Sequence, residues 1–114
     1  MHEMSLVTGI LDIAGREAEA AGAQVINAVE IEVGLLAGVE IDSLKFCFEV
    51  ARRGTPGAAD ARLVIHEVPG HGTCVKCGAS ADVDDFVALC AACGEGLMDI
   101  TKGREMRVVS INVD

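Results

Sequence analysis

The sequence predicts an α+β fold in which two helices pack on a three-stranded sheet, with a small four-cysteine module inserted before the last strand. Three observations predict it: two stretches with apolar residues at helical spacing, three strand-like stretches, and two Cys-x-x-Cys pairs ahead of the final strand. Apolar residues make up 51% of the chain, which is enough to build a core.

The first helix is predicted from about Leu6 to Ala21, with Ser5 as its N-cap residue and Gly22 as its stop. The spacing of three and four residues between apolar positions places them on one face of a helix. That face consists of Leu6, Val7, Ile10, Leu11, Ala14, Ala18 and Ala21.

Val25 to Val33 alternates between apolar and polar positions and predicts a half-exposed strand, with Val29, Ile31 and Val33 on its apolar side. The segment 34–38, which begins and ends with glycine, predicts a turn. The second helix is predicted from about Glu40 to Arg53, since acidic residues stand at its start and basic ones at its end. Its apolar face consists of Ile41, Leu44, Cys47, Phe48 and Ala51.

Two further strands are predicted, from Ala61 to Val68 and from Arg104 to Val113, because both alternate or are rich in β-branched residues. The segment 69–72 is predicted to be a flexible link, since it holds Pro69 and two glycines. The sequence therefore divides into an α+β domain of residues 1–69 plus 104–114 and a metal-binding module of residues 70–103.

Composition excludes several classes of function. The chain has 9 Lys+Arg and 18 Asp+Glu, so its net charge is 9 − 18 = −9. Phosphate contacts need clustered basic residues, and base stacking needs aromatic ones, of which there are only three Phe; we therefore expect no nucleic-acid partner. The longest uncharged stretch, Ala20–Val29, is too short to cross a bilayer. No signal peptide is visible, so we expect a cytoplasmic protein.

The strongest motif is a pair of Cys-x-x-Cys-Gly turns, Cys74/Cys77 and Cys90/Cys93. Two such turns close a tetrahedral four-thiolate site, which Zn²⁺ prefers, and a full shell of thiolates does not activate water. The site is therefore predicted to be structural zinc. A rubredoxin-like iron site has similar spacing but needs an aromatic shell, for which only Phe86 is at hand. Cys47 is expected in the core.

The amino terminus carries a second candidate metal site. The terminal amine of Met1, the backbone nitrogen of His2 and the His2 imidazole can approach one ion together, and nitrogen-rich tetragonal sites suit Ni²⁺ and Cu²⁺. The alternative is a frayed terminus with no ligand role. His66 is expected on a strand face, and His71, just ahead of Cys74, is a further candidate ligand.

With these features placed, the whole chain resembles the HypA/HybF family of hydrogenase nickel-maturation proteins. The initial Met-His-Glu combined with the two spaced cysteine pairs is very specific to that family. Further matching segments are Val33–Gly34, Gly38–Glu40, Leu44–Glu49, Val68–Gly70 and Ile100–Met106. Ala91 stands where many members have Pro, and Cys47 where many have Ala.

The resemblance implies a nickel metallochaperone rather than an enzyme. It implies that nickel is held by His2 and the backbone nitrogen of Glu3, and that zinc is held by Cys74, Cys77, Cys90 and Cys93. In some members of the family an acidic residue at the turn before the second helix supports the nickel site, and Glu40 has that position here. The implied partners are a HypB-like GTPase and the large subunit of a [NiFe]-hydrogenase, and some members also support urease maturation. A zinc-ribbon module for protein or nucleic-acid interaction is the alternative function.

Overall fold

The computed structural model describes residues 2–84 and 88–114. The described residues form α1 (Glu3–Ala20), β1 (Ile26–Gly34), α2 (Ile41–Ala51), a 3-10 turn (Arg52–Gly54), β2 (Arg62–Val68), β3 (Gly70–Cys74), β4 (Ser80–Val83), β5 (Met98–Lys102) and β6 (Met106–Val113). None of these helices is long and apolar enough to span a membrane.

The strands form two three-stranded sheets, of order β2-β1-β6 and β4-β3-β5. The two helices and the first sheet confirm the α+β class. The second sheet is absent from the sequence prediction; Cys74 ends its strand β3, and the other three cysteines lie in the connections between its strands. Residues 69–72 are not a flexible link: Gly70 to Gly72 belong to β3, the central strand of this second sheet.

Helix α1 buries the face that the spacing predicts, since Val7, Ile10, Leu11, Ala14 and Ala18 are all buried. Its start differs from the prediction. Ser5 is not the N-cap residue; the helix begins at Glu3, and His2 occupies the N-cap position. The carbonyl of His2 accepts the N–H groups of Ser5 and Leu6 at 3.1 and 3.2 Å.

Strand β1 buries Val29, Ile31 and Val33, the side that alternation predicts. Strand β1 pairs with β6, and the backbone hydrogen bonds at the two ends of the pair show that the strands are antiparallel. Val25 and Asp114 exchange two of them, at 3.0 and 2.8 Å, and the N–H of Gly34 donates to Glu105 at 2.8 Å. The last strand of the chain therefore pairs with the first.

Helix α2 buries Leu44 and Phe48, and Glu40 is its N-cap residue. It ends at Ala51, so Arg52 and Arg53 lie in the following 3-10 turn rather than in the helix. The Arg52 guanidinium donates to the carbonyl of Ala61 at 2.7 Å, which ties this turn to the start of β2.

The chain folds into two compact units. The α+β unit contains the amino-terminal segment up to Ile31, Val39–His66 and Arg107–Asp114. The cysteine unit contains Glu32–Gly38 and Glu67–Met106. In the cysteine unit β3 pairs antiparallel with both neighbours, with Gly72 opposite Ala81 on β4 and Ile100 on β5.

Candidate metal centres

The two cysteine pairs lie on two similar turns. The N–H of Gly78 donates to the carbonyl of Cys74 at 3.1 Å, and the N–H of Gly94 donates to the carbonyl of Cys90 at 2.7 Å. Both glycines have positive φ, +78° and +72°, a conformation in which other residues are strained. Each turn therefore needs its glycine to bring two sulfurs to the same side.

The four sulfurs converge on one point. Every pair of Sγ atoms lies within 4.8 Å, with Cys74 and Cys93 at 3.7 Å and Cys77 and Cys90 at 3.6 Å. A tetrahedral ion with metal–sulfur bonds of about 2.3 Å separates its ligands by about 3.8 Å. The arrangement therefore suits one tetrahedral ion of zinc's size.

Backbone amides point at the sulfurs. The Cys74 sulfur accepts the N–H groups of Lys76 and Cys77, both at 3.4 Å, and the Cys93 sulfur accepts that of Gly96 at 3.4 Å. The N–H of Cys77 is the main cause that lowers the pKa of Cys74 to about 6, with a smaller contribution from Lys76. The N–H groups of Glu95 and Gly96 lower the pKa of Cys93. The loops thus favour thiolates, the form that binds metal.

Cys77 behaves in the opposite way. The N–H of Ala79 lowers its pKa, but the neighbouring sulfurs of Cys90 and Cys74, together with a smaller effect of partial desolvation, outweigh that effect and raise the pKa to about 11. Thiols that share one site cannot all ionise without a cation, because like charges repel. A divalent cation bound among the four sulfurs would remove this repulsion and favour the ionised form of each thiol.

Residues around the four cysteines pack tightly against the sulfurs. A Cβ atom on Gly96 would lie 2.4 Å from the Cys74 sulfur, so only glycine is tolerated there. Cys74 and Cys90 are buried in a small apolar core with Leu36, Val83, Met98 and Ile100, while Cys77 and Cys93 are exposed.

The amino-terminal candidates lie at the start of α1. His2 is exposed and its ring makes no capping hydrogen bond. The Glu3 carboxylate accepts the backbone N–H of Glu40 at 3.3 Å, so the first turn of α1 is tied to the N-cap residue of α2. The structure therefore brings Glu3 and Glu40 together. Met1 lies outside the described residues.

The remaining candidates have other partners. His66 lies 3.1 Å from the Glu30 carboxylate, which lowers the pKa of Glu30, and His71 lies 3.1 Å from that of Asp82. Neither histidine belongs to the four-cysteine group found among the described residues. Cys47 is half-buried on α2, and Phe86 lies outside the described residues.

An α+β unit joined to a four-cysteine module that fits a tetrahedral ion defines a metal-binding protein. A family model described as hydrogenase/urease nickel incorporation, metallochaperone, hypA matches residues 1–113. The chain belongs to this family, whose members are metallochaperones and not enzymes. The resemblance inferred from the motifs is thereby confirmed.

Relatives match along the whole chain. The hydrogenase maturation factor HypA of Chlorobaculum tepidum is 44% identical, and that of Azotobacter vinelandii 39%, each over 100% of both chains. A solution structure of a HypA protein has a TM-score of 0.73 and 25% identity, and covers 99% of this chain and 96% of that one. The solution structure of the Ni metallochaperone HypA from Helicobacter pylori shares the fold, with a TM-score of 0.72 at 24% identity over 99% and 97%.

Proposed function

We propose that this chain carries Ni²⁺ at its amino terminus, on His2 and the backbone nitrogen of Glu3, and delivers it to the large subunit of a [NiFe]-hydrogenase. Delivery involves a HypB-like GTPase and takes place in the cytoplasm. Zn²⁺ is held by Cys74, Cys77, Cys90 and Cys93 and has a structural role. The observation that carries the proposal is the match to a nickel-incorporation family over residues 1–113.

The local chemistry of the amino terminus supports a nickel site. The His2 ring makes no capping bond and is exposed, so its nitrogens are accessible to an ion. The N–H of Glu3 belongs to the first turn of α1, whose amides have no acceptor within the helix. An imidazole and backbone nitrogens together form the nitrogen-rich set that suits Ni²⁺.

The exposure of His2 supports the delivery step. The hydrogen bond between Glu3 and Glu40 anchors the first helical turn, whereas His2 precedes the helix and is exposed. Ligands on an exposed terminus can be exchanged one at a time with those of an acceptor, because no core has to open. Nickel is therefore bound at a place from which it can leave.

The zinc site is proposed as the permanent one. Its two most buried ligands, Cys74 and Cys90, are part of the small core of the cysteine unit, so loss of the ion disturbs packing. Four thiolates fill a tetrahedral shell and leave no position for water or substrate.

Nickel titration against a competing chelator tests the proposal, with His2→Ala compared with His66→Ala. His66 is an exposed histidine paired with Glu30, so its removal controls for loss of a histidine as such. We expect the parent protein and His66→Ala to bind one nickel per chain and His2→Ala to lose that binding. All three should retain one zinc. Nickel binding by His2→Ala as tight as in the parent would contradict the proposed site.

A further inference from the structure

Three of the exposed large apolar side chains of the cysteine unit lie near the cysteine pairs in the sequence. Val75 is 71% exposed, Leu89 63% and Leu97 52%. Val75 follows Cys74, Leu89 precedes Cys90, and Leu97 precedes β5. We call these three residues the outer apolar patch.

The hydrogen bonds show that the members of the patch are neighbours. Leu89 and Leu97 form an antiparallel bridge. The flanking bonds, from Met98 N–H to Ala88 and from Cys90 N–H to Gly96, are 2.9 and 2.8 Å. This pattern makes Leu89 and Leu97 a non-hydrogen-bonded pair, the kind in which opposite side chains lie closest on one face.

Val75 extends the row on the other side of Leu97. Its N–H donates to the carbonyl of Leu97 at 3.0 Å, and this continues the register in which Cys74 pairs with Met98. Opposite residues of an antiparallel pair have their side chains on the same face. Leu97 therefore lies between Val75 and Leu89 in one apolar row.

The patch is not needed to hold the cysteines. Side chains alternate along a strand, and Cys74 and Met98, the neighbours of Val75 and Leu97, are buried on the opposite face. Contiguous exposed apolar side chains that serve no core commonly mark a protein interface. Asp99, two residues beyond Leu97 on β5, is exposed and shares its side of the strand.

The net charge of the cysteine unit indicates the kind of partner. From Glu67 to Met106 the sequence has seven acidic and three basic residues, a net charge of 3 − 7 = −4. Lys76, the basic residue next to Val75, is paired with Glu95. A second copy of the chain would bring the same negative charge to the interface, which disfavours self-association.

We propose that the outer apolar patch is a docking surface for a basic protein segment that carries apolar side chains among Lys or Arg residues. The apolar side chains cover Val75, Leu89 and Leu97, and the basic ones lie beside the acidic residues of the cysteine unit. This inference goes beyond the proposed nickel site and does not depend on it.

The test uses the zinc-loaded full chain and three synthetic peptides. The first combines Leu with Lys, the second replaces Lys by Glu, and the third replaces Leu by Ser. We expect only the first to bind saturably, with NMR shift changes concentrated at the amides of Val75, Leu89 and Leu97. Leu97→Ser should weaken this binding about tenfold, because one large apolar contact is lost.

Leu35→Ser is the matched control, since Leu35 is an exposed leucine of the same unit outside the patch. Its affinity should equal that of the parent, and both variants should retain one zinc per chain. Equal binding of the Leu–Lys and Ser–Lys peptides would overturn the proposal, as would undiminished binding by Leu97→Ser or no binding at all. Concentration-dependent dimerisation that Leu97→Ser abolishes would assign the patch to a second copy instead.

Discussion

Gly34, Gly70 and Gly103 meet in the cysteine unit at a place where side chains do not fit. A Cβ atom on Gly34 would lie 2.1 Å from the Gly103 carbonyl oxygen, and one on Gly103 would lie 2.5 Å from the Gly70 Cα. The same Gly103 carbonyl accepts the N–H of Leu36 at 2.7 Å. Close backbone packing thus fixes the segment that follows β1.

Gly103→Ala is expected to destabilise the protein by about 2 kcal/mol or more, because Gly103 has a φ of +94° in addition to the steric conflict. Gly9→Ala is the control. Gly9 lies inside α1 with no atom within 4 Å of an added Cβ, so the change should stabilise by about 0.5–1 kcal/mol. Urea unfolding of both variants measures the difference, and a stable Gly103→Ala protein would contradict the packing.

Zinc binding is expected to release the proton of Cys77. Because its pKa is raised to about 11, this thiol is protonated at neutral pH in the metal-free protein, and zinc must displace that proton. The apparent zinc affinity should therefore rise by at least about tenfold per pH unit between pH 6 and 8, since Cys77 alone contributes that factor. Below about pH 6 the dependence should steepen, since Cys74 also takes up a proton.

Chelator competition at several pH values, corrected for the chelator's own protonation, checks this dependence. Cys47→Ser is the control, because Cys47 is a thiol outside the four-cysteine group and its removal should leave the slope unchanged. A zinc affinity that is constant between pH 6 and 8 would show that Cys77 is already ionised without metal.

At the scale of the element, α2 has two phenylalanines in opposite surroundings. Phe48 is fully buried, whereas Phe46, two residues earlier, is 68% exposed. We expect Phe48→Ala to lower the free energy of unfolding by about 3–5 kcal/mol, because it removes a core side chain and leaves a cavity. Phe46→Ala should change it by about 0.5 kcal/mol or less. Denaturant titration of the two variants compares them, and equal losses would mean that α2 is rotated about its axis.

The helices and β1 were predictable because one face of each is buried, so that apolar residues recur at the helical or strand period in their sequences. Strands β3 and β4 were not, since Gly70, Gly72 and Ser80 carry no apolar alternation and each strand has only five or four residues. The pairing of β3 with β4 and β5 determines these strands. The sequence prediction places the start of α1 too late for a similar reason. The hydrogen bond between Glu3 and Glu40 is a tertiary contact, and the capping preferences of neighbouring residues carry no information about it.

The clustering of the four cysteines was predictable from the sequence, because Cys-x-x-Cys-Gly spacing encodes the turns themselves; that they hold zinc stays a prediction. Sequence did not indicate that Gly96 contacts the Cys74 sulfur, nor that Cys74 and Cys77 differ in pKa. These properties depend on distances between segments far apart in the chain. For the nickel site, His2 and Glu3 stay a prediction, which the nickel titration tests.

At the scale of the whole molecule, each of the two units is stabilised in a different way. The α+β unit has a core of its own, built from α1, α2 and the first sheet, in which Ile10, Leu44 and Phe48 are buried. The described core of the cysteine unit is small, and two of its buried members are the thiols Cys74 and Cys90. We therefore expect the stability of this module to depend on a bound metal ion.

Removal of zinc with a chelator is therefore expected to unfold the cysteine unit alone. Amide hydrogen exchange measures this, since β3, β4 and β5 should lose their protection while α1 and α2 retain theirs. Protection should return when zinc is restored, which controls for irreversible damage. Simultaneous loss of protection in α1 and in β3 would mean that the chain folds as one cooperative body. Retained protection in β3 would mean that its apolar contacts suffice without the ion.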